Sequence, residues 1–122
     1  MSKSVIQDYR EGNCYLCNLL DKNWTPAVNE HHIFNGPLRN KSEHYGLKVR
    51  LCFEHHGKKG DKDVHRPDRN DYGLLLKAIG QRAFENRYGY KRFMNEFGKD
   101  YIAKYLNFGP GKKIKVKEAY YV

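Results

Sequence analysis

Two short motifs, Cys14-x-x-Cys17 and Cys52-x-x-His55, constrain the folding of this chain more than any other feature of its sequence. In each motif the two-residue gap lets both side chains bind one ion. Three thiolates and one imidazole form a standard tetrahedral ligand set for zinc. An ion bound by both motifs would close the long segment between them as a loop. We therefore predict a structural Zn²⁺ site made of these four residues.

Two other interpretations of the cysteines stay open. Cys14 and Cys17 could form a redox-active thiol pair, but the strand–helix–strand context of such pairs is missing and Cys52 would have no role. The cysteines could also be small buried side chains beside a surface histidine. Because three cysteines cannot all pair within one chain, reduced thiolates in a reducing compartment are favoured.

The charge of the chain indicates the kind of partner. Lys and Arg total 23 against 14 Asp and Glu, which gives a formal net charge of +9 and favours a polyanion, with nucleic acid as the first expectation. An anionic membrane is less favoured because no long basic amphipathic helix is evident, and charge that only maintains solubility is the remaining alternative. The residues expected to contact phosphates are Arg39, Lys41, Lys58, Lys59, Arg66, Lys112, Lys113, Lys115 and Lys117.

The pattern of apolar residues predicts two strands followed by three helices. The expected strands cover residues 28–34 and 46–51, and the polar segment 38–45 between them is expected to be a loop. The helices are bounded by glycines or by a capping aspartate, and they are expected at residues 72–88, at residues 90–97 and after Asp100.

Four histidines remain after the zinc motifs are assigned: His31, His32, His56 and His65. One or two extra histidines would be unremarkable, but four beside a zinc motif in a basic protein suggest a second metal site. Adjacent residues on a strand face opposite sides, so one of His31 and His32 can bind an ion while the other faces water. Three imidazoles suit zinc, nickel and other transition ions, whereas magnesium prefers oxygen ligands.

These residues resemble those of HNH nucleases, which use the ββα-metal fold. The resemblance rests on adjacent His31-His32 on a strand, on a second strand ending in Leu51-Cys52, and on the following His56 and His65. The Cys-x-x-Cys…Cys-x-x-His arrangement is similar to the zinc-containing branch, and more loosely to small phage-encoded HNH proteins of the recombination-enhancement type. The implied fold class is α+β, with a small ββα-metal (HNH) core stapled by a Cys3His zinc site and followed by C-terminal helices.

The resemblance also implies roles for the histidines. By position, His32 corresponds to the general base, and His31, His56 and His65 to the ligands of one catalytic divalent ion, which could be Mg²⁺, Mn²⁺, Ni²⁺ or Zn²⁺. Neutral imidazole can take a proton from water near neutral pH. The implied function is a metal-dependent DNA endonuclease that hydrolyses phosphodiester bonds. A non-catalytic nucleic-acid-binding or recombination accessory protein with a structural zinc is the alternative.

The sequence departs from the family at two points. The middle Asn of the family, which holds the loop that carries the base histidine, has no counterpart near Tyr45, although Asn35 or Asn40 could take its place. His56 and His65 are also nine residues apart, so one straight helix would point them in opposite directions. The glycines between them favour a loop, which could bring His65 back towards His56.

Length and the motifs together give the expected organisation. Residues 1–122 fit one domain, with the zinc motifs and the ββα-metal core at 14–65, a helical part at 68–107 and a basic tail at 109–122. No stretch has the apolar length of a signal peptide or of a membrane span, so we expect a cytoplasmic protein without a membrane partner. The resemblance extends this to a phage-infected bacterial cell and allows phage or host recombination or packaging proteins as partners beside DNA. The form of the DNA and the oligomeric state stay open.

Overall fold

The computed structural model describes residues 3–56, 64 and 72–107. Within these residues the chain forms one two-stranded antiparallel sheet and five α-helices, so the prediction of a mixed α+β fold is confirmed at that level. None of the helices in this part of the chain is long and apolar enough to cross a membrane. The elements in chain order are α1 (Tyr15–Asp21), β1 (Asn29–His32), α2 (Arg39–His44), β2 (Lys48–Leu51), α3 (Tyr72–Tyr88), α4 (Tyr90–Phe97) and α5 (Tyr101–Leu106).

The two predicted strands are present: β1 is shorter than expected at both ends, and β2 starts two residues later than expected but ends at Leu51 as predicted. β1 pairs with β2 so that His31 lies opposite Val49 and His32 lies opposite Lys48. Because side chains alternate along a strand, His31 and Val49 share one face of the sheet, and His32 and Lys48 share the other. The alternation along β1 therefore places the two neighbouring histidines on opposite faces of the sheet.

The predicted loop at 38–45 is wrong, because most of it forms helix α2 after a 3₁₀ turn at Gly36–Leu38. Ser42 is the one buried residue of α2, so the helix shows no apolar period in the sequence. The Ser42 hydroxyl accepts a hydrogen bond from the Phe34 N–H at 3.1 Å and donates one to the Leu47 carbonyl at 2.5 Å. Ser42 thereby ties the segment after β1 to the segment before β2.

The N-terminal segment lies along the outer edge of β2. The Ser4 hydroxyl donates to the Lys48 carbonyl at 2.6 Å, and the Gln7 side-chain oxygen accepts from the Arg50 N–H at 2.7 Å. Two side chains therefore satisfy backbone groups that a third strand would otherwise bond.

The three predicted C-terminal helices are confirmed. The prediction succeeds because the residues that mark the ends of these helices act through local backbone geometry. Gly98 ends α4 in the left-handed region at φ 81°, a conformation that costs glycine little. The Asp100 carboxylate caps α5 by accepting from the Ala103 N–H at 3.1 Å. The short connections between α3, α4 and α5 follow from these caps.

Aromatic rings fill the space between the helices and the hairpin. Phe93 and Phe97 of α4 stack with their ring centres 4.7 Å apart, and both pack against Phe84 of α3. Phe34, two residues after His32, lies 4.6 Å from Phe97 between ring centres. The aromatic cluster of the helices therefore reaches the end of β1.

Gly80 lets α3 lie close to this end of the hairpin. A Cβ atom at Gly80 would lie 3.1 Å from Ile33 Cγ2 and 3.2 Å from Phe34 Cε2, both tighter than ordinary contact. The sequence predicts only that this glycine weakens the helix. The close approach of the residues after β1 explains why a glycine occupies the helix interior.

Candidate metal centre and neighbouring histidines

The first half of the Cys3His cluster is built on the start of α1. Cys14 is the N-cap residue, and its Sγ accepts from the Cys17 N–H at 3.5 Å. The Cys14 N–H in turn donates to the Thr25 carbonyl at 2.7 Å, which holds the entry to the helix. This geometry directs both thiols to the same side of the first helical turn.

The second half follows β2, where Cys52 is the first residue after the strand and His55 lies in the next turn. His55 Nδ1 lies 3.3 Å from Cys52 Sγ, 3.5 Å from Cys14 Sγ and 3.6 Å from Cys17 Sγ. The Cys17 and Cys52 Sγ atoms are 3.7 Å apart. A tetrahedral zinc with ordinary bond lengths requires S–S edges of about 3.8 Å and S–N edges of about 3.5 Å. The four residues could therefore hold one zinc ion without rearrangement.

Burial adds a chemical reason for an ion at this cluster. It raises the pKa of the Cys14 thiol to about 12 and also raises the pKa of the Cys17 thiol. Both thiols would be protonated at neutral pH without a cation, whereas a bound divalent ion favours the thiolates. The interpretation with a surface histidine is wrong, because His55 is only 1% exposed. The metal interpretation also gives Cys52 a role, which the thiol-redox interpretation does not.

The structure brings His31 and His56 together beside this cluster. Their ring centres are 5.3 Å apart and the rings are inclined by 64°. Two imidazoles that bind one ion at about 2.1 Å have their ring centres about 5 Å apart. His31 comes from β1 and His56 from the turn that also carries the cluster residue His55, whereas His65 lies outside the described residues.

His32 belongs to a separate ionic cluster on the other face of the hairpin. Its Nε2 lies 2.8 Å from Glu43 Oε1 of α2. The Lys48 ammonium lies 3.0 and 2.9 Å from the two Glu43 oxygens and 3.4 Å from Glu30 Oε2. Glu30, His32 and Glu43 are close enough together to hold an ion. However, the buried Lys48 already supplies positive charge to both carboxylates.

The sequence does not indicate Glu43, Lys48 or Ser42 as site residues. The alternation at 46–51 predicts that Lys48 faces solvent, but it is only 2% exposed because two carboxylates compensate its charge. The signal that could have identified this cluster is the hairpin register, which places Lys48 opposite His32. No local motif specifies that register.

Asn35 and Asn40 are the two asparagines expected to support the segment between the strands. Asn35 and Asn40 are both exposed, and the Asn35 side chain does not cap the 3₁₀ turn that follows it. Buried Ser42 instead bonds the backbone on both sides of the connection between the strands. The loop support comes from a hydroxyl on α2.

Two of the expected phosphate-contacting residues lie in the described part of the chain. Arg39 is exposed at the start of α2. Lys41 binds Glu96 of α4, with Nζ 2.7 Å from its carbonyl oxygen and 3.1 Å from its carboxylate. The others lie outside the described residues: Lys58, Lys59, Arg66, Lys112, Lys113, Lys115 and Lys117.

Comparisons of the chain with protein-family models, with curated proteins and with solved structures found no match. The residues and their geometry are therefore the basis on which a function can be inferred.

Proposed function

We propose that this protein is a metal-dependent DNA endonuclease of HNH type, with a ββα-metal core and a structural zinc at the Cys3His cluster. One observation carries the proposal: the neighbouring residues His31 and His32 contact different groups, His31 packing against His56 and His32 binding Glu43. Hydrolysis assisted by a metal needs two imidazoles in different roles, because an imidazole bound to the ion cannot also accept a proton from water.

The structural zinc would have a second effect on this site. It would join the start of α1 to the turn after β2 through Cys52 and His55. His56, the next residue, is then held with its ring against His31. An ion that takes no part in the reaction would therefore fix one of the two described histidines that could bind the catalytic ion.

The residues of the chain would divide the chemistry between them. His31 and His56 would hold the catalytic divalent ion together with His65, and such an ion supplies charge stabilisation for the phosphate and the leaving oxygen. His32 would take a proton from the attacking water. β1 ends at His32, so we expect the phosphate to approach both rings at that end of the strand. The net charge of +9 would favour association with the DNA backbone.

The test is incubation of the pure protein with supercoiled and with single-stranded circular DNA in Mg²⁺, Mn²⁺, Ni²⁺ or Zn²⁺. His32→Ala should reduce the cleavage rate about 10²- to 10⁴-fold, because it removes proton abstraction, while metal binding is retained. His44→Ala is the matched control, since His44 is exposed on α2 and is the one histidine without a proposed role. It should cleave like the parent protein.

The metal-ligand variants should fail in a different way. His31→Ala and His56→Ala should weaken binding of the catalytic ion, with partial recovery of cleavage at high metal concentration, and both should retain the structural zinc. Calorimetric metal titration and zinc analysis measure these effects. If His32→Ala loses the ion while His31→Ala keeps it, the two roles are exchanged. If the parent protein binds DNA but cleaves it with none of the ions, the non-catalytic accessory function replaces this proposal.

A further inference from the structure

The contact between His32 and Glu43 involves one particular ring nitrogen, Nε2. Glu43 lies on α2, eleven residues further along the chain, and one of its oxygens reaches His32 Nε2 at 2.8 Å. A carboxylate can only accept a hydrogen bond, so a neutral His32 must carry its proton on Nε2. Its Nδ1 then carries the lone pair and is the atom that can accept a proton.

We infer that Glu43 is a positioning residue for His32: it holds the ring in the Nε2–H tautomer and directs Nδ1 towards the attacking water. The inference rests on the proposed function of His32 as the base. A carboxylate that orients a histidine base also stabilises the positive ring that forms when the base takes a proton. Neither the zinc motifs nor the family resemblance assigns a role to Glu43.

Glu43 is itself held from two sides. The ammonium of Lys48 binds both Glu43 oxygens, and Lys48 is buried. If the carboxylate turned away, the buried positive charge of Lys48 would be poorly compensated. The neighbouring Ser42 fixes α2 to the backbone on each side of the connection between the strands. Residues of α2 and β2 therefore fix the orientation of the His32 ring at the end of β1.

Other charged groups also face this cluster, and the nearest is Glu30, which has a carboxylate oxygen within 4.8 Å of ligand atoms of both His32 and Glu43. Glu30 shares Lys48 at 3.4 Å. Beyond it, the pKa of the Tyr9 hydroxyl is raised, first by burial and then by the charge of Glu30. Arg50 lies over the Tyr9 ring, 4.7 Å from its centre. Glu43 is the carboxylate that forms a hydrogen bond with His32 among the described residues.

The chain offers a matched control carboxylate in Glu96. It also contacts α2, pairing with Lys41 at 3.1 Å and accepting from the Tyr45 hydroxyl at 2.9 Å. Its hydrogen bonds and ion pairs within the described residues are made with Lys41, Tyr45 and Arg92. Loss of Glu96 therefore removes an α2 ion pair of the same kind without changing the contact that orients the ring.

The first measurement is the tautomer of His32, from two-bond ¹H–¹⁵N spectra of the zinc-loaded protein at a pH where its ring is neutral, assigned with His32→Gln. We expect the Nε2–H form in the parent protein and in Glu96→Ala, and a mixture of tautomers in Glu43→Ala. Glu43→Gln should also give a mixture of tautomers, because its amide can accept from Nε2–H or donate to an unprotonated Nε2. A parent protein with His32 in the Nδ1–H form, or an unchanged tautomer in Glu43→Ala, would overturn the inference.

The second measurement is DNA cleavage by the same variants. Glu43→Ala should lower kcat at least about 10-fold, the lower end of the effect known for carboxylates that orient metal-bound histidines, with KM unchanged. Glu43→Gln should not restore the rate, because it lacks the charge that stabilises the protonated ring. Because Glu43→Ala leaves Lys48 poorly compensated, Glu43→Ala with Lys48→Met tests the same loss without the buried charge. Absence of cleavage by the parent protein refutes the proposed function, whereas cleavage at the parent rate by Glu43→Ala refutes the role of Glu43.

Discussion

The N-terminal region (residues 3–56) and the helical region (residues 72–107) contribute to one hydrophobic core. The interactions that stabilise the inside of each region are different. In the N-terminal region, the segments are joined by the Cys3His cluster, by Ser42 and by the ion pairs of Lys48. In the helical region, aromatic rings pack edge to face between α3 and α4 and between α4 and α5. The difference implies that loss of a bound ion should affect one region far more than the other.

The contrast follows from what each region has to position. The N-terminal region carries all the histidines that the structure describes, and its strands have four residues each, so polar contacts and an ion must set their geometry. The helical region contributes the surface that Phe34, just after β1, packs against: Gly80 of α3 and Phe97 of α4. A packed aromatic cluster is sufficient for that task, because an apolar packing surface does not have to orient any polar atom.

Removal of a cluster ligand should have the largest effect. Cys52→Ala leaves a zinc site with three ligands, and structural zinc contributes about 10–16 kcal/mol in small zinc-binding peptides. We expect loss of zinc and loss of amide protection in β1 and β2, with α3 to α5 retaining part of their protection. Zinc analysis and hydrogen exchange measure the outcome, and a chelator should have the same effect on the parent protein. Equal loss of protection in both regions would break the comparison.

A cavity in the aromatic cluster should have the next largest effect. Phe93 is fully buried, so Phe93→Ala should lower the free energy of unfolding by about 3–5 kcal/mol. The zinc content of the folded protein should stay at the parent value. Phe53→Ala is the matched control, because Phe53 is 58% exposed and its loss should change stability by less than about 0.5 kcal/mol. Chemical denaturation gives both values, and a Phe93→Ala protein without zinc would show that the two regions are not separable.

Loss of the Ser42 hydroxyl should have a smaller effect, confined to the connection between the strands. Ser42→Ala leaves the Phe34 N–H and the Leu47 carbonyl without this partner, which should cost about 1–3 kcal/mol. Asn35→Ala and Asn40→Ala are the controls, since both side chains are exposed, and each should change stability by less than about 0.5 kcal/mol. A larger loss in either asparagine variant than in Ser42→Ala would return the supporting role to that asparagine.

The parts of the structure that the sequence predicts are those specified by neighbours along the chain. The spacing within each motif identified the four cluster residues, and Gly98 and Asp100 mark the ends of α4 and α5 through local backbone geometry. The catalytic roles of His31, His32, His56 and His65 stay predictions.

The parts that the sequence missed depend on contacts between distant segments. Helix α2 buries only Ser42, so its residues have the composition of a loop. The burial of Lys48 depends on the hairpin register and on Glu43 arriving from α2. Neither contact has a pattern that can be recognised before the segments are brought together.

The side chains that cover the edge of β2 also affect how the protein can be handled. Ser4 and Gln7 occupy the Lys48 carbonyl and the Arg50 N–H, the groups through which a sheet recruits another strand. Deletion of the N-terminal segment, or a rigid fusion that pulls it away, would expose the outer edge of β2. Such versions of the protein would be prone to edge-to-edge aggregation, and an affinity tag at this end should be joined through a long flexible linker.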